Sequence, residues 1–267
     1  MNDFRSSVEP VLSSTMLLLR GEAAPAVLMV KRHYQIDFAS GAMVFPGGKV
    51  SADDYHQEWA AHVHGDFSGD ELAARIGGVR EVFEESGILL ATYDDCESGS
   101  YVDQSVCDRL AIHRAPVDRG EMSFLELIKT NGLKLDLTGL QPYAHWITPE
   151  FMPKRFDTRF FVARAPDGQK ALHDGREITE AVWTTSTDVL SLEKSGDVKL
   201  LFPTRVNLER LEDLGSVDAV FRFSKAENIV TVLPVVESGP EGKQLRIPSE
   251  AGYRVTTEPL EKVMKTV

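Results

Sequence analysis

Short apolar runs alternate along the chain with longer amphipathic segments, and this pattern predicts a fold that mixes strands and helices. Strand-sized apolar runs bounded by turn residues occur at 12–19, 26–30, 143–149, 159–165, 177–185 and 228–236. Helical spacing occurs at 69–86, 102–131 and 201–215, with a short helix near 187–192. Because the strands are irregularly spaced, the pattern favours an α+β arrangement over a regular series of β-α-β units.

The segment 69–86 has well-defined helix signals at both ends. Ser68 and Glu71 have the spacing of a capping box, and Gly87 is placed to end the helix in the left-handed conformation. On a helix with 100° per residue, one side collects the apolar residues that we interpret as the buried stripe, namely Leu72, Ile76, Val79 and Phe83.

Three glutamates, Glu81, Glu84 and Glu85, fall on the other side of the same helix. Arg80 lies four residues before Glu84 and is predicted to pair with it. Three neighbouring carboxylates repel one another, and a divalent cation would offset that repulsion. Hard oxygen ligands of this kind suit Mg²⁺ or Mn²⁺. The alternative interpretation is a solvated acidic helix face.

Gly77 and Gly78 lie in the middle of the predicted helix, where each glycine costs about 1 kcal/mol relative to alanine. Their small size would let another backbone approach the helix closely. We expect the loop 45–48, "FPGG", to take that place and to turn its carbonyl oxygens towards the glutamates.

Composition restricts the classes of partner. The chain has 267 residues and a formal net charge of −12, which argues against a binder of nucleic acid or of anionic membranes. Neither a signal peptide nor a membrane span is predicted from the apolar runs. Cys96 and Cys107 are expected to be free thiols, and a cytoplasmic location is expected. A homodimer is left open.

Residues 80–88, "REVFEESGI", match the second half of the Nudix box at every defined position. Gly48 and Asp54 match its first half, with Asp54 where the box has Glu, and an insertion at about 51–68 separates the halves. The chain therefore resembles the Nudix hydrolases. Further segments resemble the branch that includes the mammalian peroxisomal coenzyme A diphosphatase: "FASGAMVFPGGKV", "GEMSFLELIKTNGLKLD", "HWITPEFMPKRFDTRFFVA", "EITEAVW" and "LFPTRVNL".

The resemblance implies an α/β/α sandwich around a mixed β-sheet with a helical insertion. It predicts a Nudix domain at 8–215 that contains the box insertion and a helical insert at about 92–140. Residues 216–267 are predicted to be a C-terminal extension packed on the same domain.

The implied activity is Mg²⁺- or Mn²⁺-dependent cleavage of a small nucleoside diphosphate derivative. Coenzyme A or acyl-CoA is the leading substrate, giving 3′,5′-ADP and (acyl-)phosphopantetheine. ADP-ribose, dinucleotides and nucleotide sugars are alternatives, and a non-catalytic nucleotide sensor is an alternative of another class. Such sensors typically lose a box glutamate, whereas all three glutamates are present here.

The resemblance also assigns roles to residues. Glu81, Glu84 and Glu85 would bind the metal with a carbonyl of Gly47 or Gly48, and Arg80 would orient the glutamates. The general base is left open between Glu81, Glu177 and Glu180. Cationic candidates for the substrate are Lys31, Arg32, Arg155 and Arg159, and aromatic candidates for stacking on adenine are Trp146, Phe156 and Phe160.

Overall fold

The structure, a computed structural model, describes residues 8–33, 41–173, 175–226, 228–239 and 242–266. Its strands are β1 (Val11–Arg20), β2 (Ala26–Arg32), β3 (Met43–Val44), β4 (Gly47–Lys49), β5 (Val63–His64), β6 (Ala91–Tyr93), β7 (Leu133–Asp136), β8 (Gln141–Ile147), β9 (Phe156–Arg164), β10 (Ile178–Thr185), β11 (Thr231–Val232), β12 (Val235–Gly239), β13 (Gly242–Arg246) and β14 (Thr257–Pro259). Its α-helices are α1 (Gly69–Ser86), α2 (Gln104–Leu110), α3 (Arg114–Asp118), α4 (Phe124–Thr130), α5 (Ser186–Ser195), α6 (Phe202–Leu214), α7 (Val217–Ala226) and α8 (Leu260–Thr266).

Most of the predicted elements are confirmed. The long predicted strands correspond to β1, β2, β8, β9 and β10, and the predicted helices to α1, α5 and α6, with α2 to α4 inside 102–131. The single strand predicted at 228–236 is wrong, because it divides at Leu233 and Pro234 into β11 and β12. Proline has no N–H to donate to a ladder, which accounts for the break.

The main sheet has the strand order β10-β2-β1-β9-β8-β11, with β3 beside β2 and β4 beside β1. β1 runs parallel to β9 and antiparallel to β2, so the sheet is mixed. Alternate residues of β1 face opposite layers. Met16 and Leu18 pack in the core cluster that contains α1, whereas Leu17 and Leu19 pack in the cluster that contains α6. The predicted α/β/α sandwich is confirmed.

The two insertions form one unit beside α1. Strand β5, from the box insertion, pairs with β7, and β7 also pairs with β6 at the other end of the second insert. The rings of Trp59 and Phe124 lie 5.8 Å apart, and the Ser123 hydroxyl donates to Asp53 at 2.8 Å. The segment predicted as a helical insert therefore contains three helices flanked by strands.

Residues beyond α6 return to the main sheet. β11 pairs in parallel with β8, and β12, β13 and β14 form a separate antiparallel sheet that precedes α8. The Trp146 indole donates to the Tyr253 hydroxyl at 2.9 Å, which ties this region to β8. The boundaries 8–215 and 216–267 stay a prediction. None of the helices in the described ranges has the length and apolar character that crossing a bilayer requires.

Candidate active site

Helix α1 carries the three glutamates in its last two turns. It ends as predicted at Gly87, whose φ of 74° is the left-handed conformation that glycine adopts without strain. The predicted capping box is wrong, because the Ser68 side chain makes no cap hydrogen bond and Glu71 accepts one from Arg75 at 2.7 Å. From Ala73 to the end of the helix, every residue except Glu81 is buried. The helix is thus enclosed on nearly all sides instead of along one stripe.

Arg80 is the centre of the ionic network. Its Nη1 donates to Glu84 at 2.9 Å and to Glu81 at 3.0 Å, so the predicted pair with Glu84 is confirmed. Its Nε donates to Asp54 at 3.0 Å, and its Nη2 donates to the carbonyl oxygen of Lys49 at 2.7 Å. The side chain of Arg80 is only 8% exposed and that of Asp54 is fully buried. Arg80 therefore holds both halves of the Nudix box together, which gives Asp54 a defined contact despite the insertion.

The loop of residues 45–48 contacts the glutamates. The Gly47 N–H donates to Glu85 at 3.0 Å, and a Cβ placed on Gly48 would lie 2.5 Å from the Glu81 carboxylate. A side chain at Gly48 would therefore displace Glu81.

The two helix glycines meet other partners than predicted. A Cβ on Gly78 would lie 2.6 Å from the Ser14 hydroxyl of β1, and one on Gly77 would lie 3.1 Å from Asp54. The expectation that the loop 45–48 packs against these glycines is therefore wrong. They let α1 lie close to β1 and to the box insertion instead.

Burial dominates the ionisation of the glutamates. It raises the pKa of Glu84 to about 8, with a further contribution from the charge of Glu81 and a smaller opposing one from Arg80. Burial likewise raises the pKa of Glu81, and it raises the pKa of Glu85 well above its usual range. Burial would lower the pKa of Arg80, but the carboxylates of Glu81, Asp54 and Glu84 raise it well above its usual value. The interpretation as a solvated acidic face is wrong.

The chemistry of these side chains fits a divalent cation. Several carboxylates are crowded at low exposure, and the charge of Glu81 raises the pKa of both Glu84 and Glu85, a repulsion that a bound cation would relieve. Within the described ranges, no three His, Cys, Asp or Glu side chains already form a metal-binding group. Glu81 and Glu84 are turned towards Arg80, and Glu85 towards the Gly47 N–H. The Arg80 and Gly47 contacts use one oxygen each of Glu81 and Glu85 and both oxygens of Glu84, so metal binding here would require Glu84 at least to turn.

Glu177 lies beside the glutamate cluster. Its charge contributes to raising the pKa of both Glu81 and Glu85. It is exposed and directly precedes β10, where its carbonyl oxygen accepts from the His33 N–H at 2.8 Å. Glu180, the other late candidate, is exposed on β10 opposite Lys31. The structure thus brings Glu177 to the cluster.

A cavity of about 490 Å³ opens beside the cluster, with Gly47, Gly48 and Arg32 in its lining. Most of its lining is apolar or aromatic, including the three predicted stacking residues, Trp146, Phe156 and Phe160. Hydroxyl groups of Ser13, Thr15, Thr148, Thr158 and Thr204 are interspersed. The charged residues among the described lining are all cationic: Arg32, Lys49 and Lys154. In a chain of net charge −12, this lining is suited to an anionic ligand.

The predicted cationic residues divide into two groups. Arg32 lies in the lining, and its charge partly offsets the raised pKa of Glu85. Arg155 is not in the lining. It is buried and donates to the carbonyl oxygens of Thr148 at 3.0 Å and Val8 at 2.8 Å, which secures the turn before β9.

Arg159 also lies outside the cavity lining, with its Nε 3.6 Å from Asp157. On β9 the lining residues are Phe156, Thr158 and Phe160, so the alternation of a strand turns Arg159 to the opposite face. Lys49 and Lys154, which do line the cavity, were not predicted from the sequence. Their signal was their position, since Lys49 follows the glycines of the box and Lys154 adjoins Arg155.

Comparison of the sequence with known proteins identifies a matching family and several relatives. The family described as the NUDT19 Nudix domain matches residues 60–211. The acyl-coenzyme A diphosphatase NUDT19 of Xenopus laevis is 25% identical over 270 residues, covering 85% of this chain and 71% of the relative. The human acyl-coenzyme A diphosphatase NUDT19 is 24% identical over 283 residues, covering 90% of this chain and 75% of the relative.

A solved structure supports the fold. The NUDIX hydrolase from Alicyclobacillus acidocaldarius superposes with a TM-score of 0.70 at 24% identity, covering 84% of this chain and all of that one. The family match itself spans more than half of the 267 residues. The chain belongs to the NUDT19 Nudix domain family and is an enzyme of the Nudix diphosphatase class.

Proposed function

We propose that this Nudix diphosphatase cleaves coenzyme A and acyl-CoA to 3′,5′-ADP and (acyl-)phosphopantetheine, with Mg²⁺ or Mn²⁺ as cofactor. One observation carries the proposal: the glutamates at the end of α1, of which Glu84 and Glu85 are buried, adjoin a cavity whose charged residues, among those described, are all cationic. In a substrate with a diphosphate and a second anionic group, the diphosphate would meet the cation held by the glutamates. The second anionic group would meet the cationic residues of the cavity. The names of the relatives point to the same substrate class.

In this proposal Glu81, Glu84 and Glu85 would hold the cation, which would supply charge neutralisation at the diphosphate and would lower the pKa of the attacking water. Arg80 fixes the orientation of Glu81 and Glu84 through the hydrogen bonds of its Nη1. Asp54 in turn fixes Arg80.

Hydrolysis then needs a group that takes a proton from the attacking water. The water oxygen forms a bond to phosphorus, the bridging P–O bond breaks, and the leaving phosphate carries the electron pair. We assign the role of proton acceptor to the carboxylate of Glu177, because it is exposed and its charge contributes to raising the pKa of Glu81 and Glu85.

The cavity would hold the 3′-phosphoadenosine end of the substrate. Trp146, Phe156 and Phe160 offer aromatic surface for the adenine, and stacking of a base on such rings is worth about 1–3 kcal/mol per base. Lys49 and Lys154 supply positive charge for the 3′-phosphate.

A substrate panel tests the proposal. The purified protein is incubated with Mg²⁺ and coenzyme A, acetyl-CoA, dephospho-coenzyme A or ADP-ribose, and the products are separated chromatographically. We expect 3′,5′-ADP from the first two, and a kcat/KM for dephospho-coenzyme A at least about tenfold lower than that for coenzyme A, because only the 3′-phosphate differs. Preference for ADP-ribose or dephospho-coenzyme A would contradict the substrate assignment.

A further inference from the structure

The C-terminal helix α8 contributes to the cavity although it lies outside the residues of the family match. Val263 and Thr266 line the cavity, together with Leu245 of β13. Along α8, Val263 and Thr266 are half-buried, whereas Glu261, Lys262, Met264 and Lys265 are exposed. The three-residue spacing places Val263 and Thr266 on one face, and that face is the one turned to the cavity.

Ion pairs connect this helix to α5 and α6. Glu258 of β14, two residues before α8, is 7% exposed and pairs with Arg205 of α6 and with Lys262 at 3.0 Å. Lys262 also pairs with Glu193 of α5 at 3.1 Å. Leu201 to Thr204, which include the first turn of α6, line the same cavity. The network therefore connects α8 to the element that forms the adjoining wall.

The chemistry of this wall is apolar. The Thr266 hydroxyl donates within the helix to the Val263 carbonyl oxygen at 2.9 Å, and Val263 and Leu245 offer only hydrocarbon. Such a wall contacts a ring or chain through shape and dispersion. The lysines that would attract the 3′-phosphate line the same cavity, which indicates that the nucleoside, and not the acyl chain, meets the wall.

We propose that α8 is part of the nucleoside-binding wall, with Val263 and Thr266 as specificity-determining residues for the adenosine end of the substrate. This inference rests on the proposed function. The acyl-pantetheine end would lie outside the cavity, so the effect of α8 on substrate binding would be independent of acyl length.

The test uses Val263→Trp, which fills part of the cavity, and Met264→Trp as a matched control on the exposed face of the same helix. We expect Val263→Trp to raise KM about tenfold or more for coenzyme A, acetyl-CoA and a long-chain acyl-CoA alike, with kcat within about twofold of the wild type. Calorimetric binding of 3′,5′-ADP should weaken by a similar factor, and Met264→Trp should change neither value.

Other outcomes overturn the inference. An unchanged KM in Val263→Trp, or an increase that grows with acyl length, would remove α8 from the nucleoside wall. If Val263→Trp does not fold, Val263→Ala takes its place, and a KM shift of less than about twofold for coenzyme A would count against the wall.

Failure of the proposed function is separate, because it is seen in the wild type as an absence of coenzyme A cleavage. The 3′,5′-ADP titration then decides the inference alone, and absent or equal binding in both proteins rejects it.

Discussion

The glutamate cluster and the cavity are built in opposite ways. The cluster takes its charged groups from residues 80–85 of α1 and from Asp54 of the box insertion. The Gly47 N–H adds one hydrogen bond to Glu85. The lining of the cavity comes from nine of the described elements and the loops between them: β1 to β4, β8, β9, α6, β13 and α8. The part to which we assign the chemistry is local in sequence, whereas the part that would recognise the substrate is distributed along almost the whole chain.

The two regions also differ in charge. The cluster crowds carboxylates at low exposure around one buried arginine, whereas the described charged residues of the cavity are all cationic. Substitutions in the cluster should therefore act mainly on kcat, and those in the cavity mainly on KM. The following predictions test that division.

The largest effect is expected from removing a glutamate charge. Glu84→Gln and Glu85→Gln should each lower kcat by about 10²–10³-fold, because each removes an anionic ligand while keeping the size of the side chain. Steady-state kinetics with coenzyme A measures the change, and calorimetry with Mn²⁺ measures the loss of metal binding. Glu71→Gln on the same helix is the control, since its side chain is 45% exposed and pairs with Arg75. A kcat of Glu84→Gln within tenfold of the wild type would contradict the assignment.

The next effect should appear in KM. Lys49→Met and Lys154→Met should each lower kcat/KM for coenzyme A by about 10–100-fold, which is the range for losing one charged hydrogen bond. The loss for dephospho-coenzyme A should be much smaller, because that substrate lacks the 3′-phosphate. Lys243→Met, at an exposed position of β13, is the control. An equal decrease in kcat/KM for both substrates would show that these lysines do not bind the 3′-phosphate.

The same contrast explains what could be predicted from the sequence. The end of α1 at Gly87, the pair of Arg80 with Glu84 and the glutamate cluster follow from a C-terminal glycine and from helical spacing, which are local properties. The packing of Gly78 on β1 and the joint sheet of the two insertions depend on contacts between distant segments. No local pattern records such contacts.

The cationic residues illustrate this limit within one stretch of chain. The prediction named Arg155 and Arg159, yet Lys154 and Phe160, one position from each, line the cavity. Lys154 and Arg155 lie in the bend before β9, where strand alternation does not apply. Within β9, neighbouring residues point to opposite faces, so Arg159 faces away from the cavity that Phe160 lines. Phe156 and Phe160 share a face by this rule, and the rule places Arg159 on the other.

Asp54 combines a local and a non-local property. Its position in the sequence matches the box, but its contact with Arg80 joins segments that the insertion separates. Asp54→Ala should lower kcat by about tenfold, since Arg80 loses the partner that orients it. It should also destabilise the fold by about 3 kcal/mol, because a buried cation loses an anion. Denaturant unfolding and kinetics measure the two effects. Asp54→Glu, the residue usual in the box, should restore more kcat than Asp54→Asn, and equal values for the two would exclude an ionic role.

The last prediction concerns the pH dependence of stability in the absence of divalent cations. The folded pKa of Glu84 is raised to about 8, so the folded protein keeps a proton that the unfolded chain releases above its ordinary value of about 4.5. Stability should therefore fall as pH rises from about 5 to 8, by at most about 1.4 kcal/mol per pH unit for this one proton. His145, whose pKa is lowered by burial, gives a slope of the opposite sign and is common to both proteins compared. Chemical denaturation in EDTA at several pH values should give a flatter profile for Glu84→Gln than for the wild type, and Mg²⁺ should stabilise the wild type more at pH 8 than at pH 6. Parallel profiles for the two proteins would mean that Glu84 is already ionised in the metal-free fold, and the crowding of carboxylates would then not be what favours a cation there.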